Sequence, residues 1–193
     1  MYYRSTRGAA GNITSAEAIK RGLAPDGGLF VPDSIPRLSE EEIYSLADMD
    51  YKQRAVFILS RFLDDYTDEE LRECVNGAYG GGKFEGDSVA PLKKLNGNVY
   101  MMELWHGPTC AFKDVALQLL PRLLIKAVEK TGEKAETVIL VATSGDTGKA
   151  ALEGFRDVEG TRIIVFFPKE GVSQMQKMQM ITQEGSNVCA IAV

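Results

Sequence analysis

The sequence predicts an α/β protein whose parallel sheet carries flanking helices and follows a mainly helical N-terminal region. Two patterns support this class. Helix-start signals dominate the first half of the 193 residues. In the second half, short apolar runs alternate with helical patterns, which is typical of a parallel sheet. We therefore expect a helical region at residues 1–90 and an α/β domain at residues 91–193.

Helix starts in the first region are marked by a hydroxyl residue followed three positions later by glutamate. This capping-box pattern occurs at residues 14–17, 39–42 and 67–70. Apolar residues at i, i+3, i+4 and i+7 predict a further helix over residues 51–63. The sequence Pro-Asp-Gly-Gly before a short apolar run predicts a turn and then a strand at residues 29–31.

The second region alternates between strand-like and helical segments. Strands are predicted at residues 99–104, 138–142, 163–167 and 187–193, and helices at 114–130, 147–156 and 173–183. Pro121 lacks a backbone donor and predicts a kink in the first of these helices. The last strand reaches Val193 without a following crossover, so we expect a portion of a larger protein whose exposed sheet edge favours self-association.

Composition argues against several function classes. Acidic residues outnumber basic ones, 27 to 22, so nucleic acid is not an expected partner. No apolar run approaches the ~20 residues of a membrane span, and the N-terminus lacks an apolar signal-peptide core. Three widely spaced cysteines and one histidine favour a cytoplasmic protein without a disulfide framework or a metal site.

Lys113 is the principal catalytic candidate. It lies in the segment WHGPTCAFKD, residues 105–114, at the start of a predicted helix. Its apolar neighbours predict a buried setting. Burial and the positive end of a helix dipole both favour an uncharged amine, which Schiff-base chemistry requires. A lysine before a helix is commonly a solvated surface residue, so that alternative stays open.

The segment TSGDTG, residues 143–148, is the second candidate, because it joins a predicted strand to a predicted helix. Backbone N–H groups at such a helix start bind anions. The alternative is an ordinary turn in which Asp146 or Thr147 caps the helix. The glycine-rich residues 77–84 do not form a P-loop, since Phe84 stands where a hydroxyl residue is required.

Three polar residues near Lys113 have simpler explanations than catalysis. Glu103 and Asp114 are more readily structural or solvated carboxylates. His106 orients a ligand in one interpretation, and packs or binds a backbone group in the other.

The order of the motifs resembles that of a known family. YRSTRG occurs at residues 3–8, GLAPDGGLFVP at 22–32, HGPT at 106–109 running into FKD at 112–114, and ATSGDTG at 142–148. Together they resemble the threonine synthases, which are pyridoxal-phosphate enzymes of fold type II, the tryptophan-synthase-β-like fold.

The resemblance implies a reaction and a site. Lys113 would hold pyridoxal 5'-phosphate as a Schiff base, with Phe112 lining the pocket and Asp146 near the cofactor ring hydroxyl. The substrate O-phospho-L-homoserine and water would give L-threonine and phosphate while the freed lysine moves protons at Cα and Cβ. The substrate carboxylate would bind the loop formed by Thr143, Ser144, Gly145, Asp146 and Thr147. Because the cofactor phosphate cradle would come from later sequence, we expect the chain alone to be inactive.

Two alternatives compete with this assignment. Another fold-type-II lyase or dehydratase would resemble its relatives in an arginine close behind the lysine and an asparagine in the second loop. Here Val115 and Asp146 occupy those positions. A non-catalytic module that binds a phosphorylated ligand is the other alternative, and the presence of Lys113 argues against it.

Overall fold

The computed structural model describes residues 1–9, 11–86 and 88–193, which divide into two compact units. The first unit comprises Met1–Gly77 and Arg122–Lys134, and the second comprises Ala78–Pro121 and Ala135–Val193. The expected boundary at residue 90 stays a prediction.

The helices and strands follow one another in a simple order. In chain order they are β1 (Tyr3–Ser5), α1 (Ser15–Arg21), β2 (Phe30–Pro32), α2 (Glu40–Ser45), a 3-10 turn (Leu46–Asp48), α3 (Tyr51–Phe62), α4 (Asp68–Tyr79), β3 (Leu92–Asn96), β4 (Val99–Met102), α5 (Asp114–Leu117), α6 (Leu120–Lys130), β5 (Thr137–Ala142), α7 (Asp146–Phe155), β6 (Thr161–Phe167), α8 (Gln174–Ile181) and β7 (Val188–Ala192).

The predicted helix caps of the first unit are confirmed with one exception. Ser39 and Thr67 form reciprocal capping boxes with the glutamates three residues later. Thr14 caps α1 from one side only, because the Glu17 carboxylate pairs with Lys20 at 2.9 Å and with Arg21 at 2.7 Å instead of reaching back.

One cap and one strand were not predicted. Asp50 and Gln53 form a reciprocal box at the start of α3, with both hydrogen bonds at 2.8 Å. The strand predicted at residues 29–31 is present as β2, but its antiparallel partner β1 lies near the N-terminus. A three-residue strand is too short to show a periodic pattern.

The second unit contains the predicted parallel sheet, with strand order β5-β6-β7. All three strands lie where the sequence places them. The fourth predicted strand, β4, does not join this sheet and pairs antiparallel with β3, so the expected four-fold alternation is wrong at that point. Gly97, with φ of 51°, and Asn98 form the two-residue turn that makes this hairpin.

The helix predicted over residues 114–130 is divided between α5 and α6, and the interruption falls just before Pro121. This confirms the predicted kink. Proline is tolerated in the first turn of α6, where its missing N–H would have no partner in the helix.

One face of the parallel sheet carries the core of the second unit. Ile163 and Val165 of β6 are fully buried on the side where α7 contributes Leu152 and Phe155. On the other side, Leu140 of β5 is 66% exposed. The carboxyl end of β5, at Ala142, leads directly into the candidate loop that begins at Thr143. In the part of the chain that the structure describes, no helix is long and apolar enough to cross a membrane.

Candidate active site

Lys113 lies at the N-cap of α5 and is half-buried. Its Nζ lies 4.4 Å from the centre of the Phe112 ring, within cation–π distance. A cavity of about 470 Å³ is lined in part by Lys113. Its lining is apolar apart from two residues, and consists of Leu104, Phe112, Lys113, Val115, Ala116, Leu117 and Thr147.

The apolar neighbours of Lys113 do not provide the buried setting expected for it, because several of them are exposed. Trp105 is 47% exposed, Phe112 is 63% exposed, and Cys110 is also exposed. Helix α5 has only four residues, so its dipole contributes less than that of a longer helix. Polar anchors, rather than apolar packing, hold this segment.

The first anchor is the carboxylate of Asp114, which is fully buried. One oxygen accepts the Thr109 backbone N–H at 2.8 Å, and the other accepts the Thr109 hydroxyl at 2.7 Å. Gly107 lies against the same carboxylate, because a Cβ at this position would be 2.5 Å from Oδ2. A structural role for Asp114 was among the sequence-based interpretations.

The second anchor is His106, whose two ring nitrogens each face a carboxylate. Nε2 lies 2.9 Å from Glu103, and Nδ1 lies 3.4 Å from Glu85. The hydrogen bond with Glu103 raises the pKa of His106, partial desolvation opposes it, and Glu85 adds to the increase. The protonated ring can donate to both partners, whereas a neutral ring can donate to only one.

The loop after β5 begins α7 without a side-chain cap. Gly145 is the N-cap, so the interpretation that Asp146 or Thr147 caps the helix is wrong. The Gly145 N–H donates to the Thr143 hydroxyl at 3.3 Å. As a glycine, this N-cap has no side chain that could accept from the first turn of α7, and the Gly148 N–H donates to the Gly145 carbonyl at 3.0 Å. The amides of Asp146 and Thr147 at this helix start are therefore suited to an anion.

Gln176 of α8 was missed by the sequence interpretation. Its Nε2 donates to Asp146 Oδ1 at 3.2 Å, and a Cβ at Gly145 would lie 2.8 Å from the same nitrogen. Gln176 and the loop are 30 residues apart in sequence. Only the packing of α8 beside α7 brings them together, so no local pattern could have revealed the contact.

The structure brings the two candidate segments together through α5 and α7. Gly154 of α7 lies against Leu117 of α5 so closely that a Cβ would be 2.0 Å from the Leu117 carbonyl oxygen. As a result Thr147, in the first turn of α7, lines the same cavity as Lys113. Thr143 is half-buried, and Ser144 and Asp146 are exposed in the adjoining turn.

A second cavity, of about 530 Å³, lies in the first unit between α3 and α4. Its lining includes Asp50, which caps α3, and Asp68, which lies 4.0 Å from Arg72. These charged groups already serve the helices that carry them. The smaller cavity beside Lys113 is therefore the better candidate for chemistry.

Comparison with known proteins shows similarity to threonine synthases. Residues 2–79 match the family model described as the threonine synthase N terminus. Over its whole length the chain is 44% identical to threonine synthase from Pseudomonas aeruginosa, of which it spans 40%. It is also 41% identical to human threonine synthase-like 1. That alignment includes 92% of this chain and 24% of the human protein.

A solved structure agrees with the sequence relatives. The crystal structure of PLP-bound threonine synthase from Brucella melitensis superposes on the whole chain with a TM-score of 0.91 at 39% identity, and 41% of that protein is covered. Similarity in sequence and in backbone thus extends through both units. The chain is similar along its whole length to the N-terminal portion of threonine synthases.

Proposed function

We propose that this chain supplies the cofactor-binding lysine and the substrate-carboxylate loop of a threonine synthase. The reaction converts O-phospho-L-homoserine and water to L-threonine and phosphate. One observation carries the proposal: the half-buried residue Lys113 lines the same cavity as Thr147, at the start of α7. An amine beside the N-terminus of a helix suits a carbonyl cofactor and an anionic substrate.

Pyridoxal 5'-phosphate fits the groups that are present. The cavity has apolar walls at Leu104 and Val115 that suit an aromatic ring, and a single amine at Lys113. The relative from Brucella melitensis is described as PLP-bound. When bound, the cofactor supplies an electron sink for charge that develops at the substrate α-carbon.

Each residue then has a stated task. Lys113 binds the cofactor through its amine and afterwards moves protons at the substrate Cα and Cβ. The Phe112 ring covers the amine from one side, with 4.4 Å between the Lys113 Nζ and the ring centre. Residues 143–147 would hold the substrate carboxylate with the amides that open α7, and Asp146 would help to hold the cofactor. Gln176 orients Asp146 through the hydrogen bond of 3.2 Å.

Location and assembly belong to the same proposal. Cys74, Cys110 and Cys189 are free thiols, and this supports a location of the protein in the cytoplasm, which is reducing. β5 and β7 are the outer strands of the parallel sheet. Unpaired backbone groups on an outer strand favour self-association, and sedimentation at increasing concentration tests for it.

Borohydride trapping tests the proposed role of Lys113. The complete gene product is reduced in the presence of pyridoxal phosphate, and the labelled peptide is mapped. We expect the label at Lys113, with loss of the label in Lys113→Ala. The matched control is Lys177→Ala, which removes an exposed lysine of the same unit. A label at other lysines in wild type and in Lys113→Ala alike would contradict the assignment.

Phosphate release tests the reaction. The complete gene product should release phosphate from O-phospho-L-homoserine and form threonine. Lys113→Ala should lower this rate by about a thousandfold or more, since both cofactor binding and proton transfer depend on the amine. Ammonia release from serine or threonine at a higher rate than phosphate release would favour a dehydratase instead.

A further inference from the structure

We propose that Asp114 and Thr109 form a clasp that positions Lys113, and that Asp114 is therefore a positioning residue of the active site. The inference rests on the proposed function, because it takes Lys113 as the amine that binds the cofactor. We use the name Thr109–Asp114 clasp for the two hydrogen bonds between these residues.

The clasp uses both oxygens of a buried carboxylate. Asp114 is 0% exposed, and its two oxygens accept from the backbone N–H and the hydroxyl of Thr109 at 2.8 and 2.7 Å. A buried carboxylate without partners is strongly unfavourable, so these donors are essential to keep the side chain inside. Gly107 allows the close approach, because any Cβ there would overlap the carboxylate.

The chain between the two partners needs such a constraint. Cys110 has a φ of 57°, an unusual left-handed conformation for a residue with a side chain. Its N–H donates to the Gly107 carbonyl at 3.1 Å, and the Asp114 N–H donates to the Ala111 carbonyl at 3.0 Å. The segment thus folds back on itself in two consecutive turns. The clasp closes this fold from inside.

The constraint reaches Lys113 through the covalent chain. Lys113 immediately precedes Asp114, so fixing the Asp114 side chain and backbone fixes the Cα from which the lysine extends. The lysine side chain has four rotatable bonds and needs a defined origin to present its amine at one place in the cavity. A loop without the clasp would present the amine from several origins, which lowers cofactor affinity.

Two pairs of variants in the complete gene product test the clasp. Thr109→Val removes the hydroxyl with little change in shape, and Thr109→Ser retains it. Asp114→Ala removes the carboxylate, whereas Asp114→Asn can still accept the Thr109 N–H and donate to the Thr109 hydroxyl. We expect Thr109→Val and Asp114→Ala to weaken pyridoxal phosphate binding about tenfold or more, and the two conservative variants to stay within about threefold of wild type.

Two readouts separate positioning from stability. The dissociation constant for pyridoxal phosphate is measured by absorbance titration at a temperature where circular dichroism shows each variant folded. Hydrogen exchange of the peptide covering residues 105–117 is measured in the cofactor-free protein. The clasp predicts faster exchange in Thr109→Val together with weaker binding. An unchanged dissociation constant in Thr109→Val, with only a lower unfolding midpoint, would overturn the proposal.

The outcomes also separate this inference from the proposed function. If wild type carries no label at Lys113 after borohydride reduction, the proposed function fails. If wild type is labelled there and Thr109→Val binds the cofactor as tightly, the function stands and the clasp is refuted. If Asp114→Ala does not fold, the Thr109 pair still decides, because it leaves the carboxylate in place.

Discussion

Replacing Gly154 by alanine should separate the two elements that form the candidate site. The added Cβ would lie 2.0 Å from the carbonyl oxygen of Leu117 and 2.9 Å from its carbonyl carbon. Real Cβ atoms essentially never approach within 3.0 Å of such neighbours, so α5 and α7 must move apart by about 1 Å. The obstacle is backbone and cannot rotate away.

The expected cost follows from two opposing effects. Overpacking of a well-packed contact costs about 1–3 kcal/mol. Alanine recovers about 0.5–1 kcal/mol relative to glycine within a helix. Because the clash is with a main-chain carbonyl, we expect the first effect to dominate, with a net loss of about 1–2 kcal/mol. For a chain of this size, the melting temperature falls about 2–4 °C for each kcal/mol.

A shift of this kind should also affect chemistry. The same movement displaces Lys113 from Thr147, and a misplacement of about 1 Å can lower a rate about a hundredfold. The assays are thermal unfolding followed by circular dichroism and phosphate release by the complete gene product. The control is Gly11→Ala, since a Cβ there meets nothing within 4 Å.

A Gly154→Ala protein that melts at or above the wild-type temperature and keeps wild-type activity would contradict this prediction. That result would mean that helix propensity outweighs the clash and that α5 tolerates the movement. The control variant should change the free energy of unfolding by less than about 0.5 kcal/mol.

Two further predictions use titratable groups. The pKa of His106 is raised in the folded protein, chiefly by the hydrogen bond with Glu103. The protonated ring therefore stabilises the fold fully below the ordinary pKa of 6.5, and this stabilisation is lost as the pH rises through the folded-state pKa. The urea midpoint of wild type should therefore exceed that of His106→Gln by more at pH 6 than at pH 8.5, and a difference independent of pH would contradict this. Burial raises the pKa of the Cys74 thiol to about 11, whereas Cys110 and Cys189 are exposed. A maleimide should thus label the two exposed cysteines in the folded protein and reach Cys74 only after denaturation; rapid labelling of native Cys74 would count against the described core.

Several features of the fold depend only on residues that are close together in sequence. The caps at Ser39 and Thr67 follow from a hydroxyl and a glutamate three residues apart, and the structure contains both. The interruption before Pro121 follows from the missing backbone donor. Each depends on atoms within one or two helical turns, so the local pattern was sufficient.

Other features depend on partners that are distant in sequence. The strand β4 has the composition of a sheet strand, but its pairing with β3 rather than with β5 was decided by a two-residue turn and by tertiary packing. The apolar neighbours of Lys113 suggested burial, yet Trp105 and Phe112 are exposed. The apolar character of a side chain does not by itself determine whether that side chain is buried.

Three features could be predicted from the amino-acid sequence: the catalytic candidate Lys113, the loop that precedes α7, and the alternation that produces the parallel sheet. These follow from short-range chemistry: a lysine at a helix start, glycine and hydroxyl residues after a strand, and regular apolar spacing. Three others depend on how the chain packs: Thr147 shares a cavity with Lys113, Gln176 contacts Asp146, and Gly154 allows α5 to approach α7. Close packing brings into contact residues that are far apart in sequence, and the sequence around each residue does not specify which distant residue it will contact.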